Sequence, residues 1–229
     1  MLDAVILETG KDPRWSVIWL HGLGADGHDF EGIVPEIPLP PVPVRFVFPH
    51  APVMRVRVNG GAPMRAWYDV ALADIARYPD IDGMKRSVGH VRTLAKGEEE
   101  RGIPPERIIL AGFSQGGVIV LMTVFGEPPR RWGGVMALST YLPLESGLVF
   151  ADNPTPLFMA HGTEDPVVPF RLGKKTFETI EGLGNKGPRE WHQYSMGHSV
   201  CLPEIEAIGA WMGTVLQPEE TGPKVRSDP

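Results

Sequence analysis

The chain predicts an α/β protein with a mostly parallel central sheet and helices on both faces. Strand-like and helix-like segments alternate along it, the order a parallel sheet imposes because each crossover returns through a helix. The run Ser16-Val17-Ile18-Trp19-Leu20 has the pattern of a buried strand. A third observation is a sharp strand-to-helix junction at Gly112-Phe113-Ser114-Gln115-Gly116, between Arg107–Ala111 and the apolar stretch Gly117–Met122. With 229 residues and 42% hydrophobic content, the chain suits one domain. That domain is expected over residues 1–216. Residues 217–229 are polar, contain Pro and Gly and lack an apolar period, and are expected to form a disordered tail.

The elements follow in order. After the strand Ser16–Leu20 comes a glycine-rich loop, His21-Gly22-Leu23-Gly24-Ala25-Asp26-Gly27. Residues 35–43 hold five prolines and read as a rigid connector into the strand Val44–Phe48. The stretch from Pro49 to Pro79 reads as irregular, and its length suggests function. Ile81–Arg101 reads as a helix stopped by Gly102-Ile103-Pro104-Pro105, with Glu98-Glu99-Glu100 on a solvated face. Later come the strand Pro156–Ala160, a helix from Thr176 to Leu183, the strand Arg189–Tyr194 and a helix from Pro203 to Leu216.

The junction at Ser114 has the form G-x-S-x-G. A serine there stands exposed at the apex of a tight turn, and a Cβ at either glycine would crowd the bend. Serine attacks only when a histidine takes its proton and a carboxylate orients that histidine. In this architecture the chain order is Ser, acid, His. Three histidines follow Ser114: His161, His192 and His198. His198 lies just past a strand end, where the reactive residues of open parallel sheets gather, whereas His192 lies within the strand. His198 is therefore the expected base. Asp165 follows the strand ending at Ala160 and is the expected acid, with Glu164 as its competitor. The N–H groups of Leu23 and Gln115 are the expected oxyanion donors. Neither G-x-x-x-x-G-K-[ST] nor G-x-G-x-x-G occurs, so a phosphate-binding reading of the glycines fails.

Six blocks stand in a recognisable order. They are His21–Gly27, Ala66-Trp67-Tyr68-Asp69, Gly112–Gly117, Ala137-Leu138-Ser139-Thr140-Tyr141-Leu142-Pro143, His161–Pro169 and Met196-Gly197-His198-Ser199. Together they resemble the acyl-protein thioesterase/bacterial carboxylesterase family. That resemblance implies a compact α/β-hydrolase fold without a large lid domain. It implies a serine carboxylesterase for short- to medium-chain acyl esters, with thioesters or lysophospholipids as further substrates of the family. Carried over residue by residue, it implies Ser114, Asp165 and His198 as the triad and Leu23 and Gln115 as oxyanion donors. The chain departs from the family pattern at His28, where many bacterial relatives would carry asparagine, and at Leu202, an apparent insertion. The alternatives are a non-catalytic ligand-binding protein of the same fold, or an amidase using the same triad.

Met64, Trp67, Leu72, Tyr141 and Val168 are the candidate lining of an acyl pocket. Trp67 and Tyr68 could equally plug their loop onto the sheet. The net charge of -6 offers no footprint for nucleic acid. No H-E-x-x-H or paired-cysteine spacing is present, so neither a metal nor a cofactor is expected. The lone cysteine, Cys201, cannot form an intrachain disulfide and reads as a small hydrophobe. No secretion pattern starts the chain and no apolar run reaches a membrane span, so a cytoplasmic protein without integral membrane association is expected. A homodimer is expected only if the loop from Pro49 to Pro79 exposes an apolar patch.

Overall fold

The computed structural model describes residues 2–71, 79–144, 149–184 and 187–216. A seven-stranded sheet forms its centre. In chain order its strands are β1 (Ala4–Glu8), β2 (Trp15–Leu20), β3 (Val44–Pro49), β6 (Ile108–Phe113), β7 (Gly134–Leu138), β8 (Leu157–Gly162) and β9 (Arg189–Tyr194). The spatial order is β1-β3-β2-β6-β7-β8-β9; every pair is parallel except β1 with β3. Two short strands, β4 (Val53–Arg55) and β5 (Pro63–Arg65), pair as a separate antiparallel hairpin.

Alternation along each strand divides the core in two. On β6, Ile108 and Leu110 face one side while Ile109 and Ala111 face the other. On β8, Leu157 and Met159 oppose Phe158 and Ala160 in the same way. The first side is covered by α1 (Ile81–Glu100), α2 (Gln115–Phe125) and α3 (Phe170–Gly182), the second by α4 (Leu202–Val215) and a 3-10 turn at Glu31–Glu36. Helix α2 is buried along its whole length, which explains its lack of a polar face. Among the described residues no lid domain is inserted.

Several local expectations need correction. The stretch after Pro49 is not irregular throughout, since it holds the β4–β5 hairpin and a 3-10 turn at Arg57–Asn59. Strands β1 and β7 add to those expected from the sequence. Helix α3 starts at Phe170, six residues before Thr176, with Pro169 at its N-cap and the Pro169 carbonyl accepting the Leu172 N–H at 2.8 Å. Glu98 is not solvated: it is buried, accepting from Ser16 Oγ at 2.5 Å and Arg45 Nε at 3.2 Å. Residues 217–229 lie outside the described residues.

Because β2, β6, β7, β8 and β9 run parallel, their carboxyl ends share one edge of the sheet. The loops leaving those ends carry His21–Leu23, Ser114, Tyr141, Asp165 and His198. This shared edge is the physical reason that positions 175 residues apart in the chain (23 to 198) can meet.

Candidate active site

Ser114 joins β6 to α2 with φ 52° and ψ −117°, a conformation rare for a residue with a side chain. The surroundings hold it there. Its N–H donates to Leu138 O at 2.9 Å, and Thr140 Oγ1 donates to its carbonyl at 2.7 Å. A Cβ on Gly116 would lie 2.5 Å from Leu20 O, and one on Gly112 would lie 2.5 Å from the Gly116 carbonyl. Only glycine lets β2, β6 and α2 approach so closely at the turn.

His198 follows β9 and lies between two partners. Its Nε2 is 2.9 Å from Ser114 Oγ, and its Nδ1 is 2.7 Å from Asp165 Oδ2. A carboxylate only accepts, so Nδ1 carries the proton and Nε2 presents its lone pair to the serine hydroxyl. The ring rests on Phe113, with centroids 4.7 Å apart. Asp165 is buried after β8. Its Oδ1 accepts the N–H groups of Val167 and Val168, each at 2.8 Å, which leaves Oδ2 for the imidazole. Glu164 turns away and accepts from Ser195 Oγ at 2.7 Å.

A second histidine, one that sequence reasoning missed in this role, lies against the same carboxylate. His161 is fully buried, with Nε2 2.9 Å from Val168 O and 3.4 Å from Asp165 Oδ2. Burial lowers its pKa and favours the neutral ring. The signal that could have found it is its place as the first residue of the block His161–Pro169. His192 instead stacks on Phe158 at the flank of β9, with Nε2 3.1 Å from Glu190.

A cavity of about 80 Å³ opens beside Ser114, lined by Leu23, Tyr68, Val70, Gln115, Tyr141, Val167 and Val168. Of the candidate pocket residues, Tyr141 and Val168 line it. Trp67 and Met64 do not. Trp67 is 2% exposed and faces His21, while Met64 lies half-buried on β5 near Gly24. Leu72 lies outside the described residues. Tyr68, Val70 and Val167 were missed as lining, although each adjoins or nearly adjoins a candidate. The Tyr68 hydroxyl is hydrogen-bonded to that of Tyr141, and burial raises its pKa well above the usual phenol range. Leu23 and Gln115 flank Ser114 in this wall, and neither N–H is bonded to another described residue.

Comparisons with known proteins give the family. The phospholipase/carboxylesterase family model matches residues 1–216. The chain belongs to that family. It is accordingly a serine hydrolase. The acyl-protein thioesterase 1 of Mycosarcoma maydis is 35% identical over 227 residues, covering 91% of this chain and 94% of its own. Among solved structures, Arabidopsis thaliana SOBER1 aligns with TM-score 0.78 and 29% identity, covering 89% of this chain and all of its own (100%). The Zea mays acyl-protein thioesterase 2 aligns with TM-score 0.76 over 95% of this chain and 100% of its own, at 23% identity, a likeness of fold. Among the described residues of this family member, no helix is long and apolar enough to cross a membrane.

Proposed function

We propose that this family member is a carboxylesterase for short- to medium-chain acyl esters, thioesters or single-chain lipids. Ser114 is its nucleophile, His198 its base and Asp165 its orienting acid. The observation that carries this reading is His198 standing 2.9 Å from Ser114 Oγ and 2.7 Å from Asp165 Oδ2. Ser114 Oγ attacks the acyl carbon as His198 Nε2 takes its proton. The carbonyl oxygen becomes an oxyanion held by the N–H groups of Leu23 and Gln115. The bond to the alcohol or thiol then breaks, and the leaving group takes the proton from His198. Water repeats the two steps, releasing the acid and restoring the serine.

The apolar wall of Tyr68, Val70, Tyr141, Val167 and Val168 supports an alkyl acyl group. The cavity's small volume supports the short end of the range. The names of the relatives support thioesters beside oxygen esters. In this proposal residues 1–216 act as one domain, working in the cytoplasm. A homodimer through the β4–β5 hairpin, where Val53 is exposed, belongs to the same proposal and is read by sedimentation.

The test is turnover of p-nitrophenyl esters from acetate to palmitate by the wild type and by Ser114→Ala. Serine-dependent turnover peaking at short or medium chains is the expected result. A folded Ser114→Ala variant with near wild-type turnover overturns the nucleophile. A peak at palmitate overturns the chain length.

A further inference from the structure

The oxyanion donors of the proposed mechanism come from distant parts of the chain, and the spacing between them needs a strut. The first donor loop is set by His21. Its Nε2 lies 3.1 Å from the Ala51 N–H, which can only donate, so the ring proton resides on Nδ1. That Nδ1–H donates to Gly22 O at 2.7 Å. In a planar trans peptide the carbonyl and the following N–H point in opposite directions. Holding Gly22 O against the His21 ring therefore turns the Leu23 N–H away from that ring, and Leu23 joins Ser114 in the cavity wall. Burial lowers the pKa of His21 and favours the neutral ring that this arrangement requires.

The second donor belongs to Gln115, and its side chain is engaged elsewhere. Oε1 accepts the Trp67 N–H at 2.7 Å and Nε2 donates to Tyr68 O at 2.7 Å. Trp67 in turn donates its indole N–H to His21 O at 2.9 Å, and its ring lies 5.3 Å from the His21 ring. Ser87 Oγ of helix α1 donates to the Trp67 carbonyl. One buried residue thus grips both donor segments and is itself anchored to a helix.

We propose that Trp67 is a positioning residue of the oxyanion hole, with His21 as the lever through which it acts on the Leu23 peptide. Trp67 touches no substrate in this role. It holds the distance between two backbone donors that an anion would bridge. The inference rests on the oxyanion reading under the proposed function and deepens it.

Trp67→Phe keeps the buried ring and deletes the indole donor. Both tetrahedral steps use the same two N–H groups, so a loosened pair slows acylation and deacylation together. The expected result on p-nitrophenyl acetate, butyrate and hexanoate is a kcat lowered roughly ten- to a hundredfold, below the loss for deleting a donor outright. KM stays within about twofold, and the fold-loss is equal for all three chains because the acyl pocket is untouched. Binding of a butyl boronic acid, which forms a tetrahedral anion on serine, weakens by a similar factor. Trp67→Leu, which loses ring and donor, shows a loss at least as large. An unchanged kcat, or a loss seen in KM or in one chain length only, overturns the inference and makes Trp67 a core or pocket residue. If Trp67→Phe does not fold, His21→Gln is read by the same boronate affinity, and unchanged affinity there overturns the role of the His21 lever. Labelling of wild-type Ser114 by a p-nitrophenyl phosphonate is run alongside. Absent labelling condemns the nucleophile itself, whereas normal labelling with an unaffected Trp67→Phe condemns only the strut.

Discussion

Asp165→Asn is the most informative substitution at the proposed triad, because the structure dictates which way the new amide must face. Oδ1 of Asp165 receives two backbone N–H groups, from Val167 and Val168, at 2.8 Å each. An amide NH2 placed there would confront two donors and lose both bonds, so the asparagine oxygen keeps that position. Its NH2 must then take the place of Oδ2, 2.7 Å from His198 Nδ1. A donor at that spot forces Nδ1 to accept, and the imidazole proton moves to Nε2. The nitrogen 2.9 Å from Ser114 Oγ then carries a hydrogen and cannot take the serine's proton. The shape of the site is preserved and the tautomer is wrong. In serine proteases the same exchange of aspartate for asparagine costs about 10⁴ in kcat. A similar loss here corresponds to about 5 kcal/mol of barrier. The assay is kcat/KM on p-nitrophenyl butyrate, with far-UV and near-UV dichroism to establish an intact fold. Glu164→Gln serves as the comparison and is expected to stay within about twofold, since that exposed carboxylate engages Ser195 instead. An Asp165→Asn enzyme within tenfold of wild type, or an equal loss in Glu164→Gln, would refute the tautomer argument.

Other outcomes follow from the same structure. Glu204, in the first turn of α4, is 0% exposed, and among the described residues neither carboxylate oxygen has a partner within hydrogen-bond geometry; burial, against a weaker pull from the Cys201 backbone, pushes its pKa from 4.5 up to about 8. Between those two pH values the unfolded chain has released the proton that the folded chain still holds. Rising pH therefore lowers stability by about 1.4 kcal/mol per unit, or on the order of 3 kcal/mol by pH 7. Glu204→Gln should remove that slope. Denaturant unfolding should find the variant more stable than wild type at pH 8 and no different near pH 4.5; a gap independent of pH would exclude the titration of Glu204 as the cause. At the cavity wall, Tyr141→Leu removes the hydroxyl partner of Tyr68 and part of a ring beside Ser114. The ratio of kcat/KM for octanoate over butyrate should rise about fourfold for each further methylene buried. An unchanged ratio would show that this wall does not bound the acyl chain.

Much of this molecule is written locally in its chain. The Ser114 elbow is visible as one short segment, and the demand for glycine at Gly112 is local because its Cβ would strike the Gly116 carbonyl, whereas the demand at Gly116 comes from Leu20 and His21 at the end of β2. The parallel sheet follows from alternating elements, and with it the rule that reactive groups collect at strand ends. That rule points to His198 and Asp165, and the structure brings both to Ser114. What the chain does not disclose depends on where it returns upon itself. β1 is an edge strand defined by its partner β3, so its half-exposed residues give little pattern. Glu98 looks like part of a solvated acidic run until Ser16 and Arg45 arrive from two strands to bury it. Trp67 reads as pocket or plug with equal ease. Its role is set by His21, Gln115 and Ser87, three contacts that no spacing in the sequence announces. Local sterics and periodicity can be read one segment at a time, whereas a buried hydrogen bond exists only when the fold has brought donor and acceptor together.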